Sequence, residues 1–163
     1  IDHLTIPSGV TEINDHAFTS CTDLAEVNFE VNSNLKLIGD FSFSGTSLKC
    51  ITIPKTTVMV GKFSFKNCLN LKTVEFKKES MLTKIEDEAF CFTSIEKVFI
   101  PKSVTKIGEQ AFASCRSLKV VDFSKKSNLF DLEKLAFSGS NMKKIVIPAG
   151  INKINDRIFD SCF

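Results

Sequence analysis

The chain has no tryptophan and no tyrosine, and only two arginines and two histidines among its 163 residues. No apolar run approaches the roughly 20 residues that span a bilayer, so this segment is not expected to insert into a membrane. Two arginines leave little for bidentate phosphate recognition, and a net charge of +2 gives no reason to expect a polyanionic partner. Nucleic-acid binding would also call for clustered cations interleaved with aromatic platforms, and no such pattern occurs. Also missing are a Walker loop, a dinucleotide glycine motif, zinc-ligand spacing, a nucleophile elbow and any Cys-x-x-Cys. No catalytic residue, metal site or cofactor is therefore expected. No Asn-x-Ser/Thr sequon occurs either. What remains is one ordinary folded chain with 43% hydrophobic residues, 25% charged residues, 16 phenylalanines and six cysteines, a composition that argues against disorder.

The phenylalanines belong to a repeat. Pro7, Pro54, Pro101 and Pro148 are each 47 residues from the next, and each 47 contains two related units. Apolar-polar-apolar triplets begin at Leu4, Val27, Ile51, Val74, Val98, Val121 and Ile145, at alternating spacings of 23 and 24. A second column is Phe18, Phe43, Phe65, Phe90, Phe112, Phe137 and Phe159, so seven of the 16 phenylalanines share one place in the repeat. Phe29, Phe76 and Phe123 close alternate triplets. A third column is Ile13, Ile38, Val60, Ile85, Ile107, Leu132 and Ile154. One unit cannot bury these columns alone, whereas stacked units merge them into a continuous core. The expectation is a repeat solenoid of seven coils of 23 or 24 residues. Its triplets form a parallel β-sheet on one face, with short helical or irregular turns opposite. At about 4.8 Å per coil the body is roughly 30 Å long.

Turn chemistry repeats as well. After the third column come Asn14, Gly39, Gly61, Gly108 and Asn155, against Glu86 and Glu133, which points to a backbone position with positive φ. One residue later lie Asp15, Asp40, Asp87, Glu109 and Asp156, with Lys62 and Lys134 as exceptions. These acids are expected to cap a short helical turn at the Ala-Phe segment. A metal-binding stripe is the sharper alternative, but nothing resembles a dense oxygen-ligand loop.

Cys21, Cys68, Cys115 and Cys162 share a column that Thr46, Thr93 and Ser140 fill in the intervening coils. Cysteines two coils apart lie about 10 Å apart, beyond the limit near 7 Å for a disulfide. They are expected to form an inward ladder donating to neighbouring carbonyls, with Cys50 and Cys91 unpaired. A Cys21–His16 nucleophile pair would need an orienting group and an oxyanion site. The column repeats without histidine, so lattice placement explains it.

These residues resemble the BspA-like leucine-rich repeat family, through Ile-x-Ile-Pro, Val-x-x-Ile-Gly and Ala-Phe-x-x-Cys-x-x-Leu. The stretch IPKSVTKIGEQAFASCRSL, residues 100–118, is its fullest statement. Thr57 departs from the Val of Val10 and Val104, and alternate units lack the Pro and Cys. The resemblance implies a curved leucine-rich repeat solenoid and a cell-surface or extracellular protein mediating adhesion, without specifying the ligand. Residues 1–163 are expected to form a single solenoid without caps, a section of a longer array, since the chain lacks an initiator Met and ends before the next leucine anchor.

A partner would be held on the strand face. Its outward rows are Thr5, Asn28, Thr52, Glu75, Phe99, Asp122, Val146 and His3, Glu26, Cys50, Thr73, Lys97, Val120, Lys144. Phe99, Val120 and Val146 break the polar rule on three consecutive coils. Rimmed by Lys97, Asp122 and Lys144, they are the candidate partner-binding residues. The expected ligand is a protein or glycan, such as a host-cell or matrix component. An intracellular protein-interaction scaffold of the same fold is the alternative. A solenoid enzyme acting on polysaccharide would need converging carboxylates, but Glu75 and Asp122 lie two coils apart with Phe99 between them. Phe41 and Phe63, in a column otherwise holding His16, Glu88, Gln110, Leu135 and Arg157, are expected to stack along a flank.

Overall fold

A computed structural model describes residues 1–162. The chain winds as a stack of coils, the first six each contributing a four-residue strand and then a two-residue strand. In chain order these are β1 His3–Ile6, β2 Glu12–Ile13, β3 Glu26–Phe29, β4 Leu37–Ile38, β5 Cys50–Ile53 and β6 Met59–Val60. They continue as β7 Thr73–Phe76, β8 Lys84–Ile85, β9 Lys97–Ile100, β10 Lys106–Ile107, β11 Val120–Phe123 and β12 Asp131–Leu132. All pairing is parallel, and the register joins corresponding repeat positions, such as Val121 to Val98 and Ile51 to Val74.

The long strands form two blocks, β1-β3 and β5-β7-β9-β11. The short strands form an unbroken second sheet of six, β2-β4-β6-β8-β10-β12. The third column is thus a ladder in its own right, which its spacing alone did not reveal. Coil seven differs from expectation. Its triplet Ile145-Val146-Ile147 forms no assigned strand, so six coils carry the sheets while the seventh stacks through its turn, as in Phe137 N–H to Ile158 O at 3.0 Å.

Of the helical or irregular turns expected opposite the sheet, the irregular form is found: among the described residues there is no helix, and the short helical turn expected at the Ala-Phe segment does not form. Backbone hydrogen bonding gives the reason. The N–H groups of His16, Phe18 and Ser20 donate to Asp40, Ser42 and Ser44 of the next coil at 2.7–2.8 Å. The intervening Ala17, Thr19 and Cys21 donate within their own coil to Asn14, His16 and Phe18 at 3.1–3.3 Å. Alternate donors are committed to a neighbour, so a continuous helical ladder cannot form, yet each of these six donors is satisfied. This alternation needs left-handed residues at two columns. One is His16, Phe41, Phe63, Glu88, Gln110, Leu135 and Arg157, with φ of 50–60°. The other is Ser20, Gly45, Asn67, Phe92, Ser114, Gly139 and Ser161, with φ of 53–70°.

The positive φ expected directly after the third column therefore falls two residues later than expected. Gly39, Gly61 and Gly108 are small for a steric reason. A Cβ at Gly61 would meet Asp40 Oδ1 at 2.6 Å and Ile38 O at 2.8 Å. Asp40 is there because its Oδ1 accepts from Lys62 N–H at 2.7 Å, one coil away. Asp15 does the same for Asp40 N–H, and Asp87 for Glu109 N–H, at 2.7 and 3.0 Å. These carboxylates bridge coils and do not cap helical turns. Glycine follows in the next coil wherever the aspartate does this. Where the preceding coil has Lys62, Glu109 or Lys134 instead, the column carries Glu86, Glu133 or Asn155.

Inside, Phe43, Phe65, Phe90, Phe112 and Phe137 are fully buried. Their rings stack from Phe18 to Phe159 with centroids 5.1–6.1 Å apart. Leucines such as Leu24, Leu48, Leu71 and Leu118 fill the space beside them.

Candidate functional site

The strand face takes its geometry from the β9-β11 register, which sets Lys97 opposite Val120 and Phe99 opposite Asp122. Side chains alternate faces along a strand. Val98, Ile100 and Val121 therefore turn into the core while Phe99 and Val120 stay 50% and 38% exposed. The four outward residues form a square, with unlike residues along each edge. Lys97 Nζ and Asp122 Oδ2 close one diagonal at 3.5 Å, and Phe99 and Val120 stand at the ends of the other. The charges are thus interleaved with the apolar side chains instead of surrounding them. Both members of the ion pair are more than half exposed, so it adds little to folding stability and remains free to re-pair with a partner.

Val146, 71% exposed, and Lys144 lie in coil seven, where no paired strand holds them. With Val120, Asp122 and Lys125 they line a depression of about 690 Å3 between coils six and seven. Phe99 borders two more depressions, one with Glu75 and Lys97, the other with Lys78 and Lys102. The six candidate residues therefore occupy one end of the strand face, joined through grooves and not as one apolar sheet.

The cysteine column behaves as a ladder at Cys68, Cys115 and Cys162, whereas Cys21, expected to point inward with them, is exposed. Cys68 Sγ donates to Phe43 O at 3.1 Å and lies 3.2 Å from Thr46 Oγ1, which itself donates to Phe43 O at 2.9 Å. Cys115 repeats this with Phe90 O and Thr93, at 3.2 Å to each, and Cys162 with Phe137 O and Ser140, at 3.4 and 3.2 Å. All six cysteines are free. Burial pushes the Cys68 thiol up, Cys115 to about 11 and Cys91 to about 12, the last also because Glu88 is nearby. These thiols stay protonated near neutral pH and are poor nucleophiles. Cys50 and Cys21 are exposed, Cys50 on the strand face itself.

On the flank, Phe41 and Phe63 stack at 4.5 Å and 15°, and His16 extends the stack onto Phe41 at 4.9 Å. Lys66 lies over the Phe63 ring at 5.1 Å and pairs with Glu88. The stack closes on itself, as its column placement predicts. Among the described residues no group of three or more His, Cys, Asp or Glu side chains converges to hold a metal ion, and no helix is long and apolar enough to cross a membrane.

One surface feature escaped the sequence reading. Lys55, Lys78, Lys102 and Lys125 occupy one column at the same 23- and 24-residue spacing, two residues past the third to sixth triplets, where the first, second and seventh carry Ser8, Val31 and Ala149. A net charge near zero conceals it.

With the coil geometry in place, comparison with known proteins places the chain. The profile for BspA type leucine rich repeat regions, six copies long, matches residues 1–119 and 36–163. The chain belongs to the BspA-type leucine-rich repeat family. Among solved structures it is similar to the pneumococcal vaccine antigen PcpA, at 27% identity and a TM-score of 0.73, over 99% of this chain and 38% of that one. A leucine-rich repeat protein from Bacteroides ovatus is 24% identical, also with a TM-score of 0.73, over 98% of this chain and 46% of that one. A leucine rich cell surface protein from Faecalibacterium prausnitzii shares the fold at 20% identity and a TM-score of 0.52, over 99% of this chain and 65% of that one. This BspA-type chain thus spans less than half the length of the first two. No match is found among curated proteins. In such repeats each unit contacts only its neighbours, and the stack presents an extended surface suited to partners.

Proposed function

We propose that this BspA-type chain is a non-catalytic recognition module acting at the cell surface, where it holds a protein or glycan partner on its strand face. Phe99, Val120 and Val146 supply the apolar contacts, and Lys97, Asp122 and Lys144 the charged ones. The observation that carries this reading is the exposure of Phe99 and Val120 on adjacent strands at one end of an otherwise polar strand face. Large apolar side chains held outward by a rigid strand, with charges beside them, are the usual makings of an interface hot spot. Surface location draws support from likeness to PcpA, a vaccine antigen. Adhesion to a host cell or matrix component is the role this would serve. Phe99→Asp and Val120→Asp, both at exposed positions, should abolish partner capture by the full-length protein without unfolding it. Unchanged capture by both variants would refute the assignment.

The six free thiols favour a second reading, an intracellular interaction scaffold of the same fold, because reduced cysteines are at home in a reducing compartment. Localising the full-length protein separates the two.

A further inference from the structure

The loops that follow β5, β7, β9 and β11 carry six lysines, Lys55, Lys77, Lys78, Lys102, Lys125 and Lys126, all exposed, against one acid, Glu79. Among the described residues none of the six is in an ion pair. Elsewhere on the surface Lys62, Lys66, Lys97, Lys106 and Lys134 are matched to a carboxylate, whereas Lys36, Lys84 and Lys153 among others are not, so what sets the edge apart is its regular clustering. The loops do not splay. Thr56 Oγ1 donates to Ser33 O at 2.9 Å and Ser103 Oγ to Ser80 O at 2.7 Å. Met81 N–H reaches Lys55 O at 2.8 Å and Asn128 N–H reaches Lys102 O at 3.0 Å. Each loop is stitched to the one below, so the lysine column advances in steps of about one inter-strand spacing, near 4.8 Å. Like charges held at that spacing repel, and among the described residues no carboxylate lies within ion-pair distance of them, so folding stability does not account for the row.

We propose that this edge of the strand face binds a linear sulfated polysaccharide laid along the solenoid axis. The inference rests on the recognition reading above and names its ligand class. A regular row of cations matches a polymer whose anionic groups also recur regularly, and a chain of linked pyranose rings repeats on a length scale close to one coil. Phe99 shares a depression with Lys77, Lys78 and Lys102, which sets one aromatic face where the apolar face of a sugar ring would pack while its sulfates reach the lysines. Nucleic acid fits less well. The edge has no arginine, both arginines being Arg116 and Arg157 elsewhere, and its aromatics, exposed Phe99 and Phe130 and half-buried Phe76, do not recur on successive coils as exposed stacking platforms do for single strands.

The test measures binding of the chain to immobilised heparin across a salt series, beside chemically desulfated heparin and single-stranded poly(dT). The variants are Lys78→Glu/Lys102→Glu/Lys125→Glu and, with an equal change in net charge on other surfaces, Lys36→Glu/Lys84→Glu/Lys153→Glu. Circular dichroism confirms that both fold. The edge triple should weaken heparin binding by about 100-fold or more and flatten the slope of log affinity against log salt by about 2–3, as expected when three cation contacts are removed. The control triple should bind like the unmodified chain, and desulfation should abolish binding. Equal losses in both triples, indifference to sulfation, or poly(dT) binding as tightly through the same lysines would each overturn the proposal. Failure here with Phe99-dependent partner capture intact removes the polysaccharide and leaves the recognition role standing. Loss of that capture dependence with heparin binding intact does the reverse.

Discussion

Replacing Thr57 with valine should stabilise the chain, and the magnitude follows from its surroundings. Thr57 is fully buried, and its Oγ1 has no hydrogen-bond partner. Other coils fill the same column with Val10, Leu35, Leu82, Val104, Leu129 and Ile151. A buried hydroxyl without a partner costs about 1–3 kcal/mol. Valine has the same branched shape, so it replaces the hydroxyl by a methyl without overfilling the site. The expected gain is about 1–3 kcal/mol, or roughly 2–4 °C in melting temperature for each kcal/mol. Thr57→Ala removes the methyl as well and leaves a void, so it should lack that gain and fall below valine by about 1–2 kcal/mol. Urea unfolding followed by circular dichroism measures both, with an unchanged slope required before the midpoints are compared. A neutral or destabilising Thr57→Val would show that the hydroxyl is hydrogen-bonded after all, for instance to a buried water, and would refute the reasoning.

Further predictions concern the coil-bridging aspartates and the thiols. Gly61→Ala should destabilise by about 1–3 kcal/mol, because its Cβ would collide with Asp40 Oδ1 and the Ile38 carbonyl. In an Asp40→Lys background, which reproduces the natural Lys62–Glu86 pairing, the same change should be milder by about 0.5 kcal/mol or more; strict additivity in a double-mutant cycle would contradict the steric account. An aromatic-disulfide thiol reagent should label Cys21 and Cys50 rapidly in the folded chain, with Cys68, Cys91 and Cys115 reacting only on unfolding; prompt labelling of all six would contradict the packing. The folded state holds the protons of Cys68, Cys91 and Cys115 more tightly than the unfolded state, for which the ordinary value is 9.0. The stability this provides is complete below about pH 9 and is lost as pH rises through about 11–12, where the folded thiols also ionise. Unfolding free energy measured at pH 8 and pH 10.5 should fall, and Cys91→Ala should make the fall shallower.

The repeat was legible because its signals are columns. Pro7 to Pro148 set the period, and the phenylalanines at 18 through 159 marked a core position that the structure fills with stacked rings. The cysteine ladder followed from spacing and disulfide geometry alone. The turns were not legible. Acids ahead of Ala-Phe look like helix caps within one unit, but their hydrogen-bond partners sit about 22–25 residues away in the next coil. Left-handed geometry at Phe41, Phe63 and Leu135 is invisible to residue preference, since inter-coil hydrogen bonding imposes it. Of the candidate site, the outward direction of Phe99 and Val120 was legible from the period-two pattern of the strands. The ion pair crossing between them was not, because it depends on register between coils. The lysine edge was legible as a column, but whole-chain charge averaged it away.

The central claim is that the strand face around Phe99 recognises a partner. Its most direct test is quantitative capture of binding partners by the full-length protein, compared among the unmodified form, Phe99→Asp/Val120→Asp and the flank variant Phe41→Asp, all shown to be folded. The account predicts a partner retained by the unmodified form and the flank variant and lost from the strand-face variant. Equal retention by all three, or loss only from the flank variant, would contradict it.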